Sequence, residues 1–404
     1  MKVLIITIAY PPEVRSASHI MQELAEELHK RQHTITVVTS YPQYNLTSEE
    51  KNKSFQEYKN ENGINVLRVK TLPYHKVNFM RRGISEVTIP YLFFSRIKKY
   101  IKEKVDVIIV YTPPLSLAKV GNMVKKRFGG RFILNVQDIF PQNAVDLGVI
   151  KNSFVLKYFE MIEDNAYRDA DVITAHSEGN KKFLTERKRV PCDKVTIVHN
   201  WIDTEPYRKA RNTGGFREKY GIRNKFILLF AGVIGPSQGL DLIISVAKDL
   251  KDNPDICFLL VGDGKERNRL ETLAHDGGLH NIVFQEFVSK DDYPALVKEA
   301  DVGLVCLSPS NKTPVVPGKI LGYMAGSVPV VAFLHKESDG HALIKEAQCG
   351  YSVISDDREN AVKAIRRIYA ERDRLREYGN NGFQYALTHF DRSICIDTVE
   401  KLFT

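Results

Sequence analysis

The chain has 404 residues, of which 43% are hydrophobic, 26% charged and 10% aromatic. That balance excludes collagen, coiled coil and bulk disorder, and the length fits two domains that bury their own cores without disulfide help. The net charge of +9 is unevenly spread: residues 1–200 hold 31 Lys/Arg against 21 Asp/Glu, residues 201–404 hold 27 against 28, and residues 68–131 alone carry 15 basic and 3 acidic side chains, a field that attracts phosphates, anionic membrane or nucleic acid.

Residues 2–9 are nearly all apolar and predict a first strand covered by helices on both faces. The run follows a single lysine and is too short for a signal peptide, and no stretch of ~18 apolar residues predicts a spanning helix. A helix over 18–31 follows, with Ile20, Met21, Leu24, Ala25 and Leu28 on one side. Further strands are predicted at 34–39, 66–70, 105–110, 132–136, 172–175 and 195–198, mostly separated by helical stretches. Residues 201–224, with Pro206 and Thr213-Gly214-Gly215, read as a linker with a short helix. The rhythm then restarts, with strands at 226–231, 256–261, 282–285, 302–307, 328–333 and 351–354. The chain closes on a helical segment at 393–403. This alternation predicts an α/β protein of two Rossmann-like parallel-sheet domains, and ligands of such sheets bind outside the strand C-termini. The predicted division is 1–200, 201–385 and a C-terminal helix at 386–404 that packs back on the first domain.

The five cysteines, Cys192, Cys257, Cys306, Cys349 and Cys395, form no CxxC pair and fit neither a zinc site nor a disulfide framework, which points to a reduced cytosolic protein. HExxH, GxSxG, Walker and Cys/His cluster motifs are absent, so metal hydrolases, serine hydrolases and P-loop enzymes are not expected. His33, His75, His335 and His389 are scattered and read as structural or surface residues.

Several strand-end loops are suited to ligands. The first runs from Tyr10-Pro11-Pro12-Glu13 to His19 and opens a helix; it lacks GxGxxG, yet Arg15, Ser16, Ser18 and His19 can offer donors at a helix N-terminus. Its bland alternative is an N-cap by Ser16 or Ser18. Asp138, after the 132–136 strand, can accept from a sugar hydroxyl or can cap the next helix. In the second half, Gly232, Gly235, Ser237, Gln238 and Gly239 form a glycine-rich loop that lets the main chain approach a diphosphate. Val261-Gly262-Asp263-Gly264 reads as a tight turn, and Phe287-Val288 can offer backbone groups to a base. Pro317-Gly318-Lys319-Ile320 begins a helix whose free amides and lysine can meet phosphate oxygens. The alternative for Lys319 is an exposed helix face.

The order and spacing of these motifs resemble the retaining glycosyltransferases of family 4, which have the GT-B fold. The branch that builds bacterial surface polysaccharides, including N-acetylfucosamine transferases of O-antigen and capsule clusters, is the most similar. The resemblance rests on Tyr10-Pro11-Pro12-Glu13, on Leu24-Ala25-Glu26-Glu27-Leu28 through His33, and on Asp138 through Val145. It continues with Val198-His199-Asn200-Trp201-Ile202-Asp203, Phe230-Ala231-Gly232 through Leu240, Val261 through Gly264, and Val316-Pro317-Gly318-Lys319 through Val331. The resemblance implies two domains facing an interdomain cleft, the second binding a UDP-sugar donor and the first an acceptor. It places Gly235, Ser237, Gln238 and Gly239 at the diphosphate, Lys319 with the Gly318 and Ile320 amides near phosphate and ribose, and Phe287 and Val288 at the base. Asp138 then faces the transferred sugar, and Arg15, Ser16, Ser18 and His19 the acceptor.

Three departures from the family pattern fall on five positions. Val233 and Gln238 replace an Arg and a Lys of the glycine loop, Pro314 and Gly322 replace two glutamates, and Gln137 replaces a histidine. Lys319 is then the expected cation, with Lys319 and Asp138 as the catalytic candidates. The resemblance further implies retention by same-face attack, with the departing phosphate taking the acceptor proton and no metal or other cofactor needed. The expected partners are the nucleotide sugar, a polyprenyl-diphosphate-linked or other lipid-linked acceptor and an anionic membrane surface, with no nucleic acid. The expected location is cytoplasmic and peripheral on the inner face of the plasma membrane. Apolar bulk at 87–94 beside the basic run Arg96 to Lys102 suits such a surface, the alternative being the solvated face of a core helix. Two rival functions share the layout: a non-hydrolysing UDP-N-acetylglucosamine 2-epimerase and an inactive nucleotide-sugar-binding scaffold.

Overall fold

A computed structural model describes residues 1–13, 15–43, 46, 48–73 and 79–404. Val14, in the first loop, and residues 74–78 with His75, in the basic stretch, lie outside them. The chain divides into two compact units, residues 1–198 with 395–404 and residues 199–394.

The first unit holds eight strands: β1 (Lys2–Ile6), β2 (Thr34–Ser40), β3 (Tyr58–Glu61), β4 (Ile64–Val69), β5 (Val107–Thr112), β6 (Arg131–Val136), β7 (Val172–Ala175) and β8 (Val195–Ile197). Their order is β3-β4-β2-β1-β5-β6-β7-β8. All neighbours are parallel except β3 and β4. β1, β5 and β6 are almost wholly buried, which explains their unbroken apolar runs: both faces carry helices. The Phe79–Tyr100, Leu117–Phe128 and Ser153–Asp169 helices pack on one face around Phe93, Val120, Phe132 and Tyr167.

The second unit holds β9 (Phe226–Ala231), β10 (Ile256–Val261), β11 (Ile282–Gln285), β12 (Val302–Cys306), β13 (Val330–Leu334) and β14 (Gly350–Ile354). The order is β11-β10-β9-β12-β13-β14, all parallel. One face buries Phe230, Phe258 and Phe333 beneath the Asp241–Asp249, Arg267–Asp276 and Arg358–Ala370 helices. The other buries Tyr323, Met324 and Leu296.

Three boundaries differ from the sequence expectation. The hairpin β3–β4 was not expected, because Tyr58-Lys59-Asn60-Glu61 lacks apolar alternation; Asn62 (φ 52°) and Gly63 (φ 87°) close it in the left-handed geometry that a two-residue hairpin turn requires. The expected break at 386 falls inside the Leu375–His389 helix, where Ala386 and Phe390 are core residues of the second unit; the chain joins the first unit only at Cys395. Glu400 there binds Arg31 (2.8 Å) and His33 (2.7 Å), and Phe403 meets the His33 ring edge-on.

The expected linker is also a folded strap. Residues 201–224 contain the Glu205–Lys209 and Gly215–Lys219 helices. Buried Glu299 accepts the backbone N–H groups of Phe216 (2.8 Å) and Arg217 (2.9 Å), and Arg217 donates to Asp301 (2.8 Å) and to the Glu299 and Lys225 carbonyls. Glu299→Ala leaves two amides without their acceptor and is expected to cost about 2–3 kcal/mol, read as a lowered urea midpoint; an unchanged midpoint contradicts the anchoring role.

Candidate functional site

In the second unit the site grows from the loop that leaves β9. Backbone contacts hold this loop against its neighbours: Gly232 N–H donates to Val261 O (2.9 Å), Ile234 N–H to Asp263 O (2.8 Å) and Glu266 N–H to Ile234 O (3.2 Å). Gly262 sits at φ +149°, and a Cβ there would stand 1.8 Å from the Gly232 carbonyl oxygen. The 262–264 segment is therefore a site of main-chain contact with the glycine loop, more than the tight turn expected from its sequence. The loop then makes a 3-10 turn at Pro236–Gln238, and its Ser237 carbonyl accepts the Ser308 N–H (2.9 Å). Gly235 is partly buried and the Ser237 residue is exposed.

Lys319 lies in the first turn of the Gly318–Ala325 helix. It is half-buried, with its Nζ 4.9 Å from the centre of the buried Phe230 ring, and it donates to Gln238 Oε1 (2.8 Å). Gly232 (φ +144°) leaves the space that this side chain occupies: a Cβ there would lie 2.7 Å from Lys319 Cε. Among the described residues no carboxylate pairs with the ammonium. Burial lowers its pKa to about 8. Gln238, which replaces a family lysine, thus orients the remaining cation.

The helix N-terminus behind Lys319 is only partly open. Ile320 is buried and its N–H donates to Pro317 O (3.0 Å), so the expected Ile320 amide is not available and the open amides are those of Gly318 and Lys319. At Gly322, which lacks the family carboxylate, a Cβ would stand 3.2 Å from Tyr207 Oη and 3.4 Å from Tyr293 Oη. Two phenols occupy that space, and nothing in the local sequence signals this. Phe287, beyond β11, is exposed, while Val288 packs on the core beside it.

In the first unit, Asp138 follows β6. It does not cap the next helix, whose N-cap is Pro141. Asp138 keeps solvent contact, yet the protein around its strand-end position strips enough water from the carboxyl to raise its pKa above the ordinary value. The buried Tyr111 phenol feels both Asp138 and Arg15, which shows that the ends of β1, β5 and β6 converge there.

The acceptor-side candidates separate. Arg15 is committed to buried Glu13 (2.6 Å) and to the Ile8 carbonyl (3.0 Å). It is the N-cap residue of the Ser16–Lys30 helix, and neither Ser16 nor Ser18 makes the side-chain cap considered above. Ser18 is turned fully into the core, so of the expected acceptor residues Ser16 and His19 remain at the surface. Glu13 and Arg68, which grips Glu61 (2.6 Å) and the Pro11 carbonyl (3.2 Å), were not expected as loop supports.

The depressed Lys319 pKa has a measurable consequence. A bound diphosphate favours the ammonium and raises its pKa again, so binding takes up a proton as pH passes about 8. If UDP is the ligand, as the resemblance implies, its affinity is expected to be nearly full at pH 7 and weaker by roughly tenfold at pH 9, since each unit above the free-state pKa costs a factor of ten. Titration calorimetry at both pH values, with Lys319→Gln as the insensitive control, checks this.

Comparisons with known proteins give the family and the fold. The Glycosyltransferase Family 4 domain matches residues 17–206, and the Glycosyl transferases group 1 domain matches residues 214–385. A protein of Escherichia coli named for colanic acid biosynthesis as glycosyl transferase WcaI is 28% identical over 83% of this chain and 84% of its own length. The Escherichia coli UDP-Gal:alpha-D-GlcNAc-diphosphoundecaprenol alpha-1,3-galactosyltransferase is 24% identical, covering 71% of this chain and 72% of its own. Among solved structures, Anabaena HepE in complex with UDP superposes with a TM-score of 0.74 at 15% identity, over 99% of both chains. The fold is that of the GT-B glycosyltransferases. This chain is a glycosyltransferase built from a family 4 domain and a group 1 domain.

Proposed function

We propose that this enzyme moves a sugar, an N-acetylated hexosamine or deoxyhexosamine, from a UDP-sugar to a lipid-linked saccharide in bacterial surface-polysaccharide synthesis. The observation that carries the donor half is the Lys319 ammonium, held by Gln238 and Phe230 at the mouth of a helix N-terminus beside the glycine loop. Charge develops on the departing diphosphate as the sugar C1–O bond breaks, and a preorganised cation with two open amides stabilises it. The acceptor oxygen forms the new bond on the same face, giving retention, and its proton passes to the departing phosphate oxygen. No side-chain base and no metal is required in this scheme.

The acceptor half is supported by relatives whose names specify colanic acid synthesis and a diphosphoundecaprenol-linked acceptor. Asp138 faces the transferred sugar in this reading, with Ser16 and His19 on the acceptor side. A lipid-linked acceptor places the enzyme peripherally on the cytoplasmic membrane face, and among the described residues no helix is long and apolar enough to cross a membrane. A thermal-shift panel of nucleotides and nucleotide sugars tests the donor class. UDP-linked sugars are expected to raise the melting temperature by an amount set by affinity and concentration. Stabilisation by GDP- or dTDP-sugars alone would overturn the UDP assignment.

A further inference from the structure

Two helices on one face of the first sheet carry a second apolar stripe that faces outward. On Ser153–Asp169, Phe159, Glu163, Ala166 and Tyr167 point inward. On the opposite side, Phe154 (82% exposed), Tyr158 and Met161 (53%) recur at i, i+4 and i+7. On Phe79–Tyr100, Ile89, Phe93 and Ile97 are buried while Ile84 (55%), Val87 and Tyr91 (54%) form an outward stripe at i, i+3 and i+7. Val149 (62%) and Leu147, in the turn before the Ser153–Asp169 helix, are exposed as well. Soluble surfaces seldom gather so much exposed apolar area without a partner.

The two stripes lie toward the same end of the sheet. Each helix follows a parallel strand, so its N-terminal half lies by the strand C-termini. Ser85 donates to the Pro73 carbonyl just past β4 (2.8 Å), Lys119 at the start of the Leu117–Phe128 helix donates to Tyr91 Oη (2.7 Å), and Phe140, beside Asp138, meets Phe159 edge-on. Exposed Lys119, Lys151 and Lys157 flank the patch. The lysine run expected to meet a membrane lies elsewhere: Glu103 pairs with Lys2 at the strand N-terminal end, and Arg96 and Lys99 are paired with Glu57 (3.1 and 3.3 Å).

We infer that the rim formed by Phe154, Tyr158, Met161, Val149, Val87 and Tyr91 is the membrane contact of the first unit, its apolar side chains entering the interface of an anionic bilayer while Lys119, Lys151 and Lys157 meet lipid phosphates. This rests on the proposed lipid-linked acceptor and deepens it: the contact lies at the strand ends that bear Asp138, so an acceptor headgroup is presented to that end. The test is co-sedimentation of the full chain with vesicles of phosphatidylcholine, with and without phosphatidylglycerol, alongside UDP titration of the same samples. Wild type is expected to bind the anionic vesicles more tightly, and a Phe154→Asp/Met161→Asp variant to lose at least about tenfold of that binding with UDP affinity unchanged. Lys98→Glu/Lys102→Glu is expected to retain most of it. Equal binding to both vesicle types, variant binding like wild type, or a wild-type dimer that the Phe154→Asp/Met161→Asp change splits in place of vesicle binding would each overturn the inference. Vesicle binding without UDP binding would leave the surface standing and remove the donor assignment instead.

Discussion

Lys319→Ala is expected to lower sugar transfer by about 10²-fold or more, the scale seen when one preorganised electrostatic group is removed from a site of developing charge. The loss should fall mainly on turnover, because the leaving diphosphate gains charge only as the glycosidic bond breaks. Stability should be unchanged or slightly higher. The ammonium is partly desolvated, its pKa is held near 8 by burial, and its hydrogen-bond partner is a neutral amide. A structural lysine would behave in the opposite way, with the melting temperature falling and turnover preserved. Lys319→Arg should rescue poorly, since the Phe230 ring, Gln238 and the Gly232 backbone enclose a side chain of lysine's shape. Steady-state turnover and thermal melting of the three proteins separate these outcomes.

Gly262→Ala is expected to be the most damaging single-methyl change in the site. The added carbon would stand 1.8 Å from the Gly232 carbonyl oxygen, and φ +149° is a backbone conformation that an L side chain rarely adopts. Both sides of the clash are main chain, so no rotamer change relieves it. The glycine loop must move, and it carries the Gly232 wall and the Gln238 acceptor that hold Lys319. A loss of about 2–4 kcal/mol in unfolding free energy is expected, with UDP affinity reduced more than tenfold. Urea unfolding with UDP calorimetry checks it; a folded variant with wild-type UDP affinity would show that the loop contact does not shape the site.

The periodicity of apolar residues made most of the fold legible. β7, β9 and β10 fall where their buried apolar runs predict, since a strand covered on both faces has no polar positions to obscure it. β3 was hidden because an edge strand needs no apolar face, although Asn62-Gly63 marks its turn. The strap at 201–224 has the composition of a linker because its order comes from Glu299, some eighty residues away in sequence. In the site, the glycine loop and Lys319 were legible from loop composition after strands. Three details were not. Arg15 is used up by Glu13, Ser18 faces the core, and two tyrosines stand beside Gly322; each depends on which neighbour tertiary packing supplies. Likewise the basic excess at 68–131 is partly internal. Arg68 is buried against Glu61, and Arg96 and Lys99 share Glu57.

In the proposed reaction a sugar leaves a UDP donor while Lys319 meets the departing diphosphate. Its most direct test is incubation of the purified enzyme with a panel of UDP-sugars, with and without a polyprenyl-diphosphate-linked saccharide extract, reading UDP release and lipid-linked product together. The expected result is acceptor-dependent UDP release matched by a sugar gained on the lipid, retained in anomeric configuration and reduced about 10²-fold or more by Lys319→Ala. Interconversion of UDP-sugars without UDP release, or release that is insensitive to Lys319, would contradict it.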